Sequence, residues 1–193
     1  MDEKIFIYIA TIEEFKDYDI LPSFAIKEIA KTTNEKVINQ KRAVWGLLNK
    51  AVKEKFGFID DFSHIEKNKN GKPISNKYFL SISHSKDIVA VAIANENIGI
   101  DIEKIDSTKN INKIKKYILS EDEEILNIED LFKIWTKKEA LFKFEGGEKF
   151  IPKNIKISNI ASKNFIFTNA DDKYCLSVIS NNLNNIEVNS LIN

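Results

Sequence analysis

The sequence predicts an α+β protein built of mostly antiparallel sheets with packed helices. Three observations predict it. Short apolar runs of strand length recur along the chain, among them "KIFIYIA", "DIVAVAIA" and "YCLSVIS". Two long stretches show three- and four-residue apolar spacing, the mark of a helix with one buried face. Both kinds of segment occur in both halves of the chain, joined by short turns, which argues α+β.

Taken in order, residues 4–10 read as an opening strand. Residues 22–56 read as helix in two pieces that meet near "KTTNEK"; in the second, Val44, Leu47, Leu48, Ala51, Val52 and Phe56 keep helical spacing and Gly57 is a stop signal. "EKNKNGKPISN" is rich in turn formers and reads as an exposed loop. Three strands follow, "YFLSIS", "DIVAVAIA" and "IGIDIEKI", and the Asn95-Glu96-Asn97 turn predicts that the last two pair antiparallel. In "LSEDEEIL", Ser120 and Glu123 have capping-box spacing. A helix over 129–144 ends at Gly146-Gly147. "NFIFTNA", "YCLSVIS" and "IEVNSLI" complete the chain as strands. Helix followed by strands in each half suggests two similar lobes related by a pseudo-two-fold, residues 1–97 and 98–193, with a seam near 95–98.

Twenty-nine basic and twenty-nine acidic residues leave no net charge, so no long-range field favours nucleic acid or a membrane surface. The lysines at 113, 115 and 116 and at 133, 137 and 138 read as solvated helix faces. One cysteine, Cys175, excludes an intrachain disulfide and fits a reducing, cytoplasmic setting; in an alternating strand it packs as a small hydrophobe. No run is long enough to span a membrane, and the apolar start is too short for a signal peptide.

The chemistry-bearing residues begin with "IGIDIEKI". Side chains of a strand alternate, so Asp101 and Glu103 share a face and Ile100 and Ile102 the other. Two ionised carboxylates about 7 Å apart repel by roughly 2–3 kcal/mol at an effective dielectric near 20. Water, a basic side chain or a divalent cation can each offset that. In "WTKKEALFK", Trp135, Glu139 and Lys143 recur every four residues on one helix face. By themselves Glu139 and Lys143 fit an exposed ion pair; joined to Asp101 and Glu103, Glu139 completes an oxygen set suited to Mg²⁺. "SISHSKD" gathers Ser83, His84, Ser85 and Lys86 at a strand end, donors that suit a phosphate, with Lys72 in reach from the loop. Neither a P-loop nor a dinucleotide fingerprint is present. His64 lies in a polar loop and is given no role.

Gly71-Lys72-Pro73 followed by "SISHS", then "IGIDIEKI", then "WTKKEALFK", in this order and spacing, resemble the 4′-phosphopantetheinyl transferases of the longer Sfp-type branch. The match covers residues 71–147, with a looser fit around Lys41-Arg42. The resemblance implies a monomer of two α+β lobes with the active site in the cleft between them. It implies transfer of the phosphopantetheine arm of coenzyme A to a serine of an apo acyl or peptidyl carrier protein, dependent on Mg²⁺ or Mn²⁺. It makes Asp101, Glu103 and Glu139 the metal ligands, with Glu139 also assisting deprotonation of the serine, directly or through water. Lys143 would contact the diphosphate, and Lys72, Ser83, His84 and Arg42 the nucleotide end. The loop after the helix, "FEGGEK", departs from the family's G-x-G-L pattern. A metal-dependent phosphohydrolase and a non-catalytic coenzyme A or nucleotide-binding module are the rival readings of the same residues.

Overall fold

A computed structural model of the chain describes residues 4–108 and 110–192. The first strand, β1 (Ile5–Thr11), leads through a short helix α1 (Ile12–Phe15) and α2 (Ser23–Ile29) to the long helix α3 (Glu35–Phe56). The side chain of Asn34 accepts the N–H of Lys36 at the start of α3, and Gly57 ends it with φ +78°, a left-handed conformation open to glycine. The loop expected over 66–76 contains a small hairpin instead, β2 (Ile65–Lys67) and β3 (Pro73–Ser75), antiparallel to each other. Then come β4 (Phe79–Ser85), β5 (Ile88–Ala94) and β6 (Ile98–Lys104), helices α4 (Ile111–Ile118) and α5 (Ile128–Glu145), a 3₁₀ turn at Pro152–Asn154, and strands β7 (Lys163–Asn169), β8 (Asp172–Ser180) and β9 (Ile186–Ser190).

Two larger sheets result, in the orders β4-β5-β1-β9 and β6-β8-β7. All pairings are antiparallel save β1 with β9, where the last strand returns to lie beside the first. One face of the first sheet, with Tyr8, Leu80, Val89, Val91 and Ile93, packs on Val44, Leu47, Leu48 and Val52 of α3. Its other face, Ile5, Ile7, Ile9, Ile88 and Ala90, meets Ile98, Ile100, Ile102, Leu176 and Val178 of the second sheet. β5 is therefore covered on both faces, and every one of its residues is buried; this is why "IVAVAIA" is continuously apolar rather than alternating. On the outer side of the second sheet, Ala140 and Leu141 of α5 pack against Ile157 and Ile179. Among the described residues, no helix is long and apolar enough to cross a membrane.

Four local expectations are corrected. β5 and β6 do not pair: both edges of β5 are already taken by β4 and β1, so the turn at 95–97 carries the chain across to the second sheet, where β6 pairs with β8. At Ser120 half of the capping box forms, its N–H donating to Glu123 Oε2 (2.9 Å), but the segment is a turn, and α5 starts later with Asn127 accepting the N–H of Asp130. The same Glu123 oxygen also meets Lys138. Lys138, expected on a solvated face, is fully buried; its Nζ meets Glu123 (2.6 Å) and donates to the carbonyl of Ile118 (2.9 Å) and Ser120 Oγ (3.0 Å), fastening the 118–123 connection to α5. His64 likewise sits in a network. Its Nε2 faces Asp60 (2.8 Å) and its Nδ1 Ser75 Oγ (2.9 Å), with Tyr78 also donating to Asp60 (2.6 Å), and the whole braces the β2–β3 hairpin.

Candidate active site

The site is built where β6 passes under α5. Along β6 the isoleucines turn into the core between the sheets, so period-two alternation sends Asp101 and Glu103 to the opposite side, toward the helix. Along α5, four-residue spacing stacks Trp135, Glu139 and Lys143 on one face; Trp135 Nε1 donates to Glu139 Oε1 (2.7 Å). Gly99 lets the two elements touch. A Cβ there would lie 2.0 Å from the carbonyl oxygen of Ala140 and 2.7 Å from the amide nitrogen of Phe144. That close approach brings one carboxylate oxygen each of Asp101, Glu103 and Glu139 within 4.8 Å of one another.

Ionised carboxylates that close repel by about 3 kcal/mol per pair at an effective dielectric near 20. Part of the conflict is met by protein. Lys143 Nζ lies 2.7 Å from Asp101 Oδ1 and 2.9 Å from Ser83 Oγ, so its ion pair is with the strand acid across the interface, not along the helix with Glu139. Ser83 Oγ also donates to Asp101 Oδ1 (2.7 Å). Asp101 Oδ2, in a residue only 2% exposed, is buried with no hydrogen-bond partner. Burial, and then the charge of Asp101, push the Glu139 carboxyl up to about 7. An orphaned carboxylate oxygen beside two further carboxylates is an oxygen-only donor set that fits a hard divalent cation, whose charge would remove the repulsion.

Beside the acids runs a groove lined by Asn70, Gly71, Lys72, Leu80, Phe142, Lys143 and Gly147. It shares Gly71, Pro73 and Ile82 with a second recess formed by Phe24, Glu28, Lys41, Trp45, Lys67 and His84. Lys72 lies in the first, its Nζ 3.4 Å from Asn97 Oδ1, and burial lowers its affinity for a proton. His84 lines the second and is exposed on β4; crowding by the surrounding protein, and then Lys143, hold the imidazole below its usual range, favouring the neutral form. Ser83 and Ser85 face the other side of β4, toward Asp101 and Glu103, because neighbouring strand residues alternate. Arg42 lines neither recess, and its Nε is buried without a hydrogen-bond partner. Lys67, to which the sequence reading gave no role, lines the second recess with Lys41, both paired to Glu28. Gly99 was also missed there, although a glycine inside an apolar strand is itself a sign of close backbone approach.

Three clustered acids with Lys143 at their side, next to a groove, form a set that could hold a divalent cation. Residues 97–188, a little under half of the chain, match the family described as the 4′-phosphopantetheinyl transferase superfamily. The site-bearing segment is therefore similar to that superfamily, the one the motifs resemble. A curated relative, the 4′-phosphopantetheinyl transferase gsp of Aneurinibacillus migulanus, is 37% identical over 97 residues, which is 46% of this chain and 40% of the relative. The match thus spans about two fifths of that relative's length.

Proposed function

We propose that this protein transfers the 4′-phosphopantetheine arm of coenzyme A to a serine of an apo carrier protein. The observation that carries the reading is the cluster of Asp101, Glu103 and Glu139 within 4.8 Å, with one buried oxygen left for a ligand, inside the segment that matches the transferase family. In the reaction the serine oxygen bonds to the phosphorus that bears the pantetheine, the bond from that phosphorus to the bridging oxygen breaks, and adenosine 3′,5′-bisphosphate leaves. Such transfer asks the protein for alignment and charge stabilisation more than for covalent chemistry.

Asp101, Glu103 and Glu139 would hold Mg²⁺ or Mn²⁺, which when bound supplies charge to the diphosphate oxygens. Lys143 reaches the same place from α5 and stabilises charge on the transferring group. Glu139, beside the cation site, would receive the serine proton directly or through water. Lys72 and His84 face the groove and recess in which the nucleotide end would lie, Ser83 anchors Lys143 at the boundary, and Arg42 is a more distant contributor. Residues 1–97 and 98–193 then act as two lobes of one monomeric unit, the first supplying Lys72, Ser83 and His84 and the second the acids. The single, buried Cys175 is compatible with work in the cytoplasm.

The test is incubation of the protein with coenzyme A, Mg²⁺ and several purified apo carriers, followed by mass spectrometry of each carrier. Addition of the phosphopantetheine mass to one serine is expected, and chelation of the metal should abolish it. Release of phosphate without carrier modification would point to a hydrolase, and coenzyme A binding without turnover to a binding module.

A further inference from the structure

β4 is the edge strand of one sheet and β6 the edge strand of the other. They run side by side without a backbone ladder between them. Three serines, at every second position of β4, take its place. Ser81 Oγ accepts the N–H of Ile100 (3.0 Å), Ser83 Oγ that of Ile102 (3.2 Å) and Ser85 Oγ that of Lys104 (3.0 Å). Each hydroxyl therefore covers an edge N–H of β6 that no neighbouring strand reaches.

A serine oxygen that accepts in this way still has a proton to give. Ser83 gives it to Asp101 Oδ1 (2.7 Å), and Ser85 gives it to Glu103 Oε2 (2.8 Å). The backbone N–H fixes where the hydroxyl oxygen sits and leaves its proton to point at the carboxylate. Ser83 has Lys143 as a second reason to be there. Ser85, only 7% exposed, has none among the bonds that place it: it touches the backbone of β6 and Glu103.

We propose that Ser85 is a positioning residue for the cation site, which orients the Glu103 carboxylate toward Asp101 and Glu139 while joining the two sheets. The proposal rests on the reading of the three acids as metal ligands. Glutamate has three side-chain torsions to order, and a ligand that arrives unordered binds a cation less well. Partners that orient metal ligands are worth about ten- to a hundredfold in affinity.

The test measures Mn²⁺ affinity of the whole protein by titration followed through electron paramagnetic resonance, alongside urea unfolding. Ser85→Ala should weaken Mn²⁺ binding about tenfold. Ser85→Thr, which keeps the hydroxyl, should restore most of it. Ser81→Ala removes an equivalent sheet-joining hydroxyl that donates to neither acid; it should lower stability and leave Mn²⁺ affinity as in wild type. Equal losses of affinity in Ser81→Ala and Ser85→Ala, or wild-type affinity in Ser85→Ala, would overturn the role of Ser85 and leave the metal reading standing. Wild-type protein that holds no Mn²⁺ would overturn the metal reading, and Ser85 with it.

Discussion

Asp101 meets two demands at once. Its Oδ1 is held by Ser83 and Lys143, while its Oδ2 is buried and unpartnered. A buried polar atom left so is costly unless a ligand satisfies it. Asp101→Asn and Glu139→Gln keep the shape and remove charge, so both should fold and both should lower transfer at least about a hundredfold. Circular dichroism and the carrier assay check the pair, and undiminished turnover would refute the metal assignment. Lys143→Ala should cost transfer on the order of a hundredfold by removing charge beside the diphosphate. Cys175→Ser should leave transfer unchanged, because Cys175 lies in β8 with burial pushing its thiol up to about 11, and Thr136 offers the new hydroxyl a partner. At this scale the three acids and Lys143 were legible from type and spacing alone. The partner of Lys143 was not: helical spacing offered Glu139, and only the packing of strand against helix offered Asp101.

Between elements, the decisive contact is β6 against α5 at Gly99. Gly99→Ala would push its new Cβ into the backbone of Ala140, so it should destabilise the fold by about 1–3 kcal/mol and weaken metal binding as the helix moves off the strand. Urea unfolding together with Mn²⁺ titration separates the two effects. A second joint lies at β9, where Glu187 meets Lys4 (2.6 Å) and Lys55 (2.5 Å), tying the last strand to the start of β1 and to α3. Hydrogen bonds from Lys4 and Lys55 hold the Glu187 carboxyl down to about 2, below its free value. A depressed carboxyl stabilises the fold above its unfolded pKa and loses that contribution as the pH falls through the folded one. Wild type should therefore be more stable than Glu187→Gln at neutral pH, with the gap closing between about pH 4.5 and 2. Acid unfolding curves of the two proteins measure it. Element positions were readable because period-two and helical patterns are local. The failed pairing of β5 with β6 was not, because a turn sequence does not say that both edges of a strand are already occupied.

For the molecule as a whole, the two sheets share one apolar core, and the groove runs along the line where the β2–β3 hairpin reaches α5. Asn70 Nδ2 donates to the carbonyl of Gly146 (2.6 Å), and Asn97 Nδ2 to that of Phe144 (2.7 Å). Since Lys72 and His84 lie along this groove and recess rather than among the acids, Lys72→Ala and His84→Ala should raise the KM for coenzyme A severalfold with a smaller change in kcat, the pattern of lost uniform binding. Steady-state kinetics with a fixed carrier decides it; a pure kcat effect would place both residues at the reacting centre instead.

The sequence by itself determined the element types, the α+β class, and the identity of the three acids and the lysine that gather at one place, because those follow from side-chain chemistry and short-range period. Tertiary structure alone decided that β6 crosses to a second sheet, that serines of β4 stand in for a missing ladder, that Lys138 and His64 are buried in networks, and that Lys143 pairs with Asp101. Each of these depends on which surfaces meet once apolar faces are removed from water, and that contest is settled between residues far apart in the chain.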